Sequence, residues 1–239
     1  MTGAPNIILA SAAPLTPNTT YHFRAVAVGD GTSYGDDKSF TTPKFDTTTR
    51  VTSSANPSVR GQSVIFTATV TGSGGIPTTG TVTFKDGQTT LGTGTLNGLG
   101  AATYTTTSLS VGTHSITAVY GGDSNFNGST SPALSQKVNK ANTSTTVISS
   151  LNPSVRGQSV TFTATVKATA PGAGTPTGTV TFKDGGKVLG TKALDGSGQA
   201  TYTTTSLSVG THSINAVYGG DSNFNGSTSP NLTQVVNRS

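Results

Sequence analysis

The hexapeptide DSNFNG occurs at Asp123–Gly128 and again at Asp221–Gly226. It sets carboxylate and carboxamide oxygens at alternate positions, as the first half of a calcium-binding loop does. Such a loop needs a bidentate Glu at its twelfth position, where this chain has Leu134 and Leu232. Asp, Asn and Gly also favour tight turns, through side-chain-to-backbone bonds and tolerance of positive φ. A turn is therefore the expected role, with weak calcium binding as the alternative. GTSYG, at Gly31–Gly35, fits G-x-S-x-G, in which a strand-to-helix turn projects a nucleophilic Ser. Here it lies between two runs that read as antiparallel strands, and a nucleophile is discounted. His114 and His212 are each the one histidine of their segment, so neither can build a two-histidine metal site; packed or edge imidazoles are expected. The Asp residues sit singly, apart from Asp36-Asp37, and no acid–base pair emerges. Lys85, Lys137 and Lys183 fall on outward phases or in turns, which disfavours a Lys–Asn isopeptide bond. No catalytic, cofactor-binding or metal-binding residue is assigned, and no cofactor is expected.

The elements that carry these residues follow from a repeat. Thr103–Pro132 and Thr201–Pro230 are identical except for Thr117 against Asn215. Farther upstream, NPSVRGQSV starts at Asn56 and Asn152, and GTVTFKDG at Gly80 and Gly178. The offset grows by two residues between these motifs, in TGSGGIPTT against KATAPGAGTPT, a composition typical of surface loops. Within each copy the period is two. Val64, Phe66, Ala68 and Val70 alternate with Ser63, Ile65, Thr67 and Thr69, and Val160, Phe162, Ala164 and Val166 do the same in the second copy. Val82 and Phe84, then His114, Ile116, Ala118 and Tyr120, then Leu134 and Val138 continue the apolar face. Gly-containing turns punctuate these runs, among them Asp86-Gly87, Asn97-Gly98 and Gly121-Gly122-Asp123. The fold class expected is all-β: tandem immunoglobulin-like β-sandwiches of some seven strands each, behind an incomplete N-terminal β-sandwich fragment. The expected domains are residues 1–45, 46–139 and 143–239. The linker Asn139–Asn142 is short, which predicts end-to-end modules with little swing. In the N-terminal segment, Leu15–Val28 reads as one strand after a turn, with Tyr21, Phe23, Ala25 and Ala27 on one face. Ser33–Pro43 reads as a second strand closing on Phe40.

Composition agrees. The chain has 239 residues, 48 of them Thr and 31 Gly, with no Glu, Cys or Trp. Thr and Val carry a branched β-carbon that suits a pleated strand. The net charge of +5 is spread along the whole length, without the basic face and interleaved aromatics of a nucleic-acid binder, so no nucleic-acid partner is expected. No apolar run is long enough for membrane insertion; the longest strictly aliphatic one is Ile7–Ala10. Met1 is followed by neither a basic nor a long apolar region, so an exported parent would carry its signal elsewhere.

The two copies resemble bacterial immunoglobulin-like repeat domains of group 3, through NPSVRGQSV, GTVTFKDG, LSVGTHSI and AVYGGDSNFNGSTSP in that order, twice. The first segment resembles the end of a fibronectin type III domain: Leu15, Pro17, Thr19 and Tyr21 match its L-x-P-x-T-x-Y run. That resemblance implies a Tyr hydroxyl bonded back to the backbone at a corner. The earlier strands of such a domain are missing, so an apolar face and unpaired edges are expected there. Packing on the first copy, pairing with another chain and poor order are the three outcomes expected for residues 1–45. The simplest origin is the tail of a longer protein.

The function expected is a non-catalytic spacer of an extracellular or cell-surface bacterial protein. A nine-residue strand spans roughly 30 Å, so each copy adds length without new chemistry. Two alternatives remain. One is an adhesin or receptor-type module for a protein or cell-surface glycan, using the variable loops Thr71–Thr79 and Lys167–Thr177. The other is a filament subunit that self-associates through the N-terminal segment. Aromatic sugar platforms are not expected, because Tyr104, Tyr120, Tyr202 and Tyr218 are in phase with core residues.

Overall fold

The computed structural model describes residues 14–29 and 31–238. Every regular element among them is a strand. By proximity the chain parts into two compact units. One takes the residues up to Thr52 with Thr67–Tyr104 and Ile116–Leu134; the other takes Ser53–Phe66, Thr105–Ser115 and the chain from Ser135 onward. The division runs through the first copy of the repeat, whereas boundaries at 1–45, 46–139 and 143–239 follow the repeated sequence and remain a proposal about folding units.

The second unit contains the whole second copy. Thr143–Ser149, Val160–Ala168 and Gln199–Thr204 form one antiparallel sheet, with Val160–Ala168 in the middle. The other sheet runs Ser154–Val155, Leu232–Asn237, Gly210–Tyr218, Thr179–Asp184, Lys187–Ala193, with Ser227–Thr228 also paired to Gly210–Tyr218. The period-two pattern sorts the faces as expected. Val160, Phe162, Ala164 and Val166 are buried and cluster with Val180, Phe182, Ile214, Ala216 and Tyr218. Thr161, Thr163 and Thr165 take the other face, where Thr161 and Thr203 meet hydroxyl to hydroxyl at 2.9 Å. Phe182 stacks on Tyr202 with centroids 5.8 Å apart. Gly190 makes that stack fit, since a Cβ there would stand 2.6 Å from the Tyr202 ring.

Among the buried polar side chains, a glutamine breaks the apolar pattern most sharply in each copy. Gln234 lies in the last strand at 0% exposure. Its Nε2 donates to Leu151 O at 2.9 Å and Ser154 Oγ at 3.3 Å, and its Oε1 accepts from Ser149 Oγ at 2.7 Å. Beside it, Asn152 acts as an extra peptide unit against the same strand, donating to Thr233 O at 2.7 Å and accepting from Val235 N at 2.9 Å. The NPSV motif is thus a clip on the final strand. Asn56 and Gln136 repeat the Asn bonds and the Nε2 bonds in the first copy, through Ser135 O, Lys137 N and Ala55 O, whereas Gln136 Oε1 meets no donor.

In the first unit, Thr81–Asp86 is paired with Thr89–Thr95 on one side and Ile116–Tyr120 on the other. Phe84 stacks on Tyr104 at 5.9 Å, and Gly92 leaves the room that Gly190 leaves in the second copy. The N-terminal segment differs from the expected pair of long strands. It forms two separate hairpins, Thr20–Phe23 with Lys38–Thr41 and Val26–Val28 with Thr32–Tyr34. The arms break at facing positions, Arg24-Ala25 and Gly35-Asp36-Asp37, and the second interruption holds residues that suit strands poorly. The corner forms as the resemblance implies: Tyr21 Oη accepts a hydrogen bond from Thr16 N at 2.7 Å. Tyr21 stacks on Phe40, and Arg24 lies 4.1 Å over the Tyr34 ring. Phe23, Val26, Val28, Tyr34 and Phe40 are nevertheless exposed, at 44–58%.

Truncating a core ring tests the sandwich. Phe182→Ala is expected to cost about 3–5 kcal/mol of unfolding free energy, while the outward Thr163→Ala stays within about 0.5 kcal/mol. Chemical denaturation of both variants measures the contrast.

Candidate functional site

Each of the two DSNFNG turns gathers a cluster of polar groups around its aspartate. In the first, Asp123 Oδ1 accepts from the backbone N–H of Asn125 at 2.8 Å and of Phe126 at 2.9 Å. Its Oδ2 accepts from Thr79 Oγ1. In the second, Asp221 Oδ1 accepts from Asn223 N at 2.7 Å and Phe224 N at 2.8 Å, and Oδ2 from Thr177 N and Oγ1 at 2.9 and 2.7 Å. Both carboxylate oxygens are therefore spent on the fold. Partial burial pushes each Asp carboxyl up, but the Thr and backbone N–H bonds outweigh it, and both sit below the usual range. Burial, reinforced by the nearby Asp charge, pushes the Tyr120 and Tyr218 hydroxyls up to about 12.

A cation already sits on each turn. Lys44 Nζ donates to Asp123 O at 2.6 Å, and Lys140 Nζ donates to Asp221 O at 2.6 Å. The residues beside these lysines are held by backbone pairing. Phe45 N donates to Asn125 O, and Asn127 N donates to Phe45 O; Ala141 exchanges the same bonds with Asn223 and Asn225. Side chains complete the grip: Asn127 Nδ2 donates to Asp46 Oδ1 at 2.9 Å, and Asn225 Nδ2 to Asn142 Oδ1 at 2.8 Å. Each turn is thus a clamp on a Lys-x-Asx tripeptide that leads into its own copy. Sequence reading found the turns but missed their ligand, because Lys44 and Asp123 are 79 residues apart and Lys140 and Asp221 81. The signal that was present is the tripeptide itself, KFD against KAN. The linker expected at 139–142 is accordingly pinned at Lys140, Ala141 and Asn142.

The loops of differing length serve the same clamps. Ser73 N donates to Asp46 O, and a Cβ at Gly74 would run into the Phe45 ring. In the second copy, Thr169 N donates to Asn142 O and Ala173 N to Arg60 O, while a Cβ at Gly172 would stand 2.5 Å from the Ala141 Cβ.

The other sequence candidates are scattered. His212 Nδ1 meets Asp184 Oδ2 at 2.6 Å and Nε2 meets Ser208 O at 2.9 Å. Two acceptors on one imidazole favour the doubly protonated ring. Burial lowers the His212 pKa, but these two contacts and the Asp184 charge raise it overall. Ser33 of GTSYG is exposed in a short strand, with no helix following. Asp36 and Asp37 part company, toward Lys38 at 3.8 Å and His22 at 2.7 Å, on an exposed surface. Lys85 and Lys183 are half-buried and Lys137 is exposed. Three open grooves of about 340–440 Å³ occur, along Thr48–Thr52, at Gly172–Pro176 and at Thr205–Val209; none of the three is lined by Asp or His. No cluster of three or more metal-ligating side chains occurs among the described residues.

The family described as Bacterial Ig-like domain (group 3) matches residues 51–139 and 146–237. No curated protein matches the chain. Among solved structures, the fibronectin(III)-like modules of Clostridium thermocellum CbhA are 20% identical, with 79% of this chain and 94% of that one covered, at a TM-score of 0.32. The Yersinia pseudotuberculosis adhesin InvE is 21% identical over 78% of this chain and 58% of that one, at 0.39. The Escherichia coli adhesin FdeC is 14% identical over 92% and 74%, at 0.35.

Two pH effects of opposite sign follow. The Asp123 and Asp221 carboxyls have depressed folded-state values, so their stabilisation is present above about pH 4 and is lost as pH falls through the folded value. Asp221→Asn is expected to flatten that acid limb in pH-dependent denaturation. His212 has a raised folded-state value, so its contribution is complete below about pH 6.5 and is lost as pH rises through the folded value. His212→Gln is expected to remove that alkaline decline and leave the acid limb intact.

Proposed function

Since the chain belongs to the bacterial immunoglobulin-like domains of group 3, we propose that it is a load-bearing, non-catalytic spacer of a bacterial surface or secreted protein. The observation that carries this reading is the clamp. The most polar turn of each copy is spent on the residues that enter that copy, rather than kept open for a ligand. Two backbone bonds, a lysine bond and an Asx bond act together at the point where tension along the chain would enter. Such a device resists peeling of the first strand, which is what a spacer under load requires. Each copy supplies length and mechanical continuity, and its threonine-covered faces meet water.

A second reading rests on a different observation. The N-terminal hairpins leave Phe23, Val26, Val28, Tyr34 and Phe40 exposed, five large apolar side chains within one short segment. Self-association through that segment, as in a filament, would bury it. A binding module for a surface glycan or matrix protein is the third use open to this fold.

Stretching the intact chain in single-molecule force spectroscopy separates these readings. The spacer is expected to unfold at forces that drop when Lys44 and Lys140 are replaced by Met, with no saturable binding to wall polysaccharide or matrix protein. Unchanged forces in that double variant would sink the clamp argument. Concentration-dependent sedimentation that disappears in Phe23→Ser/Phe40→Ser would favour the filament.

A further inference from the structure

The sequence contains three Asn-Gly pairs, at Asn97, Asn127 and Asn225. In such a pair, the backbone nitrogen of the Gly can attack the Asn side-chain carbonyl, because no Cβ on the second residue stands in the way. The structure treats the three very differently. Asn127 and Asn225 belong to the clamps. Their Nδ2 atoms donate to Asp46 and Asn142, their backbone N–H groups to Phe45 O and Ala141 O, and their carbonyls accept from Thr47 and Thr143. The glycines that follow are confined as well: a Cβ on Gly128 or Gly226 would lie 2.8 or 2.7 Å from the carbonyl oxygen of Tyr120 or Tyr218. A glycine confined in this way resists the rotation that ring closure needs.

Asn97 is held too, its N–H donating to Ala101 O at 2.9 Å and its carbonyl accepting from Gly100 N at 3.0 Å, but the glycine after it is free. Asn97, Gly98 and Leu99 are exposed at the tip of a turn, and nothing lies within 4 Å of where a Gly98 Cβ would be. Its Oδ1 accepts two backbone hydrogen bonds, from Leu99 N at 2.9 Å and Ala101 N at 3.0 Å. Oδ1 is the atom that becomes negative when a nucleophile adds to Cγ. Two fixed N–H donors aimed at that atom form the arrangement that stabilises an oxyanion in acyl-transfer sites. The second copy supplies an independent observation. At the matching place it carries Asp195, whose Oδ1 accepts from Ser197 N at 2.8 Å, Gln199 N at 2.9 Å and Ser197 Oγ at 2.7 Å. The same turn therefore holds a carboxylate by the same oxygen. Hydrogen bonds from Gln199 and Ser197 keep that carboxyl below its usual range.

We propose that Asn97 is a site of spontaneous deamidation, catalysed by its own turn, and that the product aspartate is the residue type the second copy already carries there. Gly98 N gives up its proton to water or hydroxide and bonds to Asn97 Cγ. The tetrahedral centre expels Nδ2, which takes up a proton and leaves as ammonia. Water then opens the resulting succinimide. Cleavage between Cγ and the ring nitrogen yields an ordinary aspartate in place of the asparagine, and cleavage at the main-chain carbonyl yields isoaspartate. No oxidant, metal or enzyme is needed. The net charge of +5 falls by one, and the turn gains a carboxylate that its two N–H donors are placed to accept.

The test follows all three peptides in the intact folded chain, incubated at mildly alkaline pH, digested and read by mass spectrometry, with a urea-unfolded sample alongside. Asn97 is expected to convert at least about tenfold faster than Asn127 or Asn225 in the folded chain, and faster folded than unfolded. Gly98→Ala should slow it. Equal rates at the three sites, or slower conversion at Asn97 when folded than when unfolded, would overturn the proposal. Asn97→Asp should melt no lower than the parent chain; a lower melting temperature would overturn the claim that the turn accommodates the product.

Discussion

Closure of each copy on its own beginning is the constraint on which the rest depends. The residues that enter each copy have no hairpin neighbour to pair with, so they must find partners far along the chain. Here the search ends at the DSNFNG turn. Phe45 pairs with Asn125 and Asn127, and Ala141 with Asn223 and Asn225. Immediately afterwards Thr47 and Thr49 reach Ser129, as Thr143 and Thr145 reach Ser227. Once those contacts are made, alternation alone decides which side of each strand is buried. The clamp and the core thus act on the same strands, with long-range polar contacts holding the ends in register and apolar contacts supplying most of the free energy.

The all-β class, the two copies and the inward residues of the long strands were legible because period two is a local property. Val160, Phe162, Ala164 and Val166 could be placed without knowing what they face. What was not legible depends on distance or on chemistry that mimics something else. The turn at Asp123 looks like half a calcium loop, since carboxylate and carboxamide oxygens suit a metal and a backbone N–H equally. Lys44 and Thr79, which bond to Asp123, are brought in by the fold from outside the motif. Gln136 and Gln234 are polar, so their residue type gives no cue to burial, although Gln136 falls in phase between Leu134 and Val138; their burial at 0% shows that phase outranks polarity. The N-terminal segment misled in the opposite sense. Its alternation runs on through Arg24-Ala25, while regular pairing is reduced there to one bond, Gly35 N to Ala25 O, where the facing arm has Gly35 followed by two adjacent carboxylates.

The differences between the copies have a physical order as well. Phe45 in the first clamp corresponds to Ala141 in the second, a loss of a whole ring. In the first copy that ring packs on Phe126 at 5.8 Å, and the short loop crosses it at Gly74. In the second copy the loop is two residues longer. Gly172 comes down on Ala141, and Gly174 lies against Phe224, with its Cβ position 3.1 Å from the ring. The added backbone occupies the space that the ring has vacated, and Phe224 ends at 4% exposure. Loop variation near one end of a sandwich is commonly read as ligand diversity or drift. Volume conservation across a contact explains this case with fewer assumptions, since the length change and the side-chain change meet at one place. The segments that vary most between the copies therefore preserve the same clamp, and they do so by opposite means.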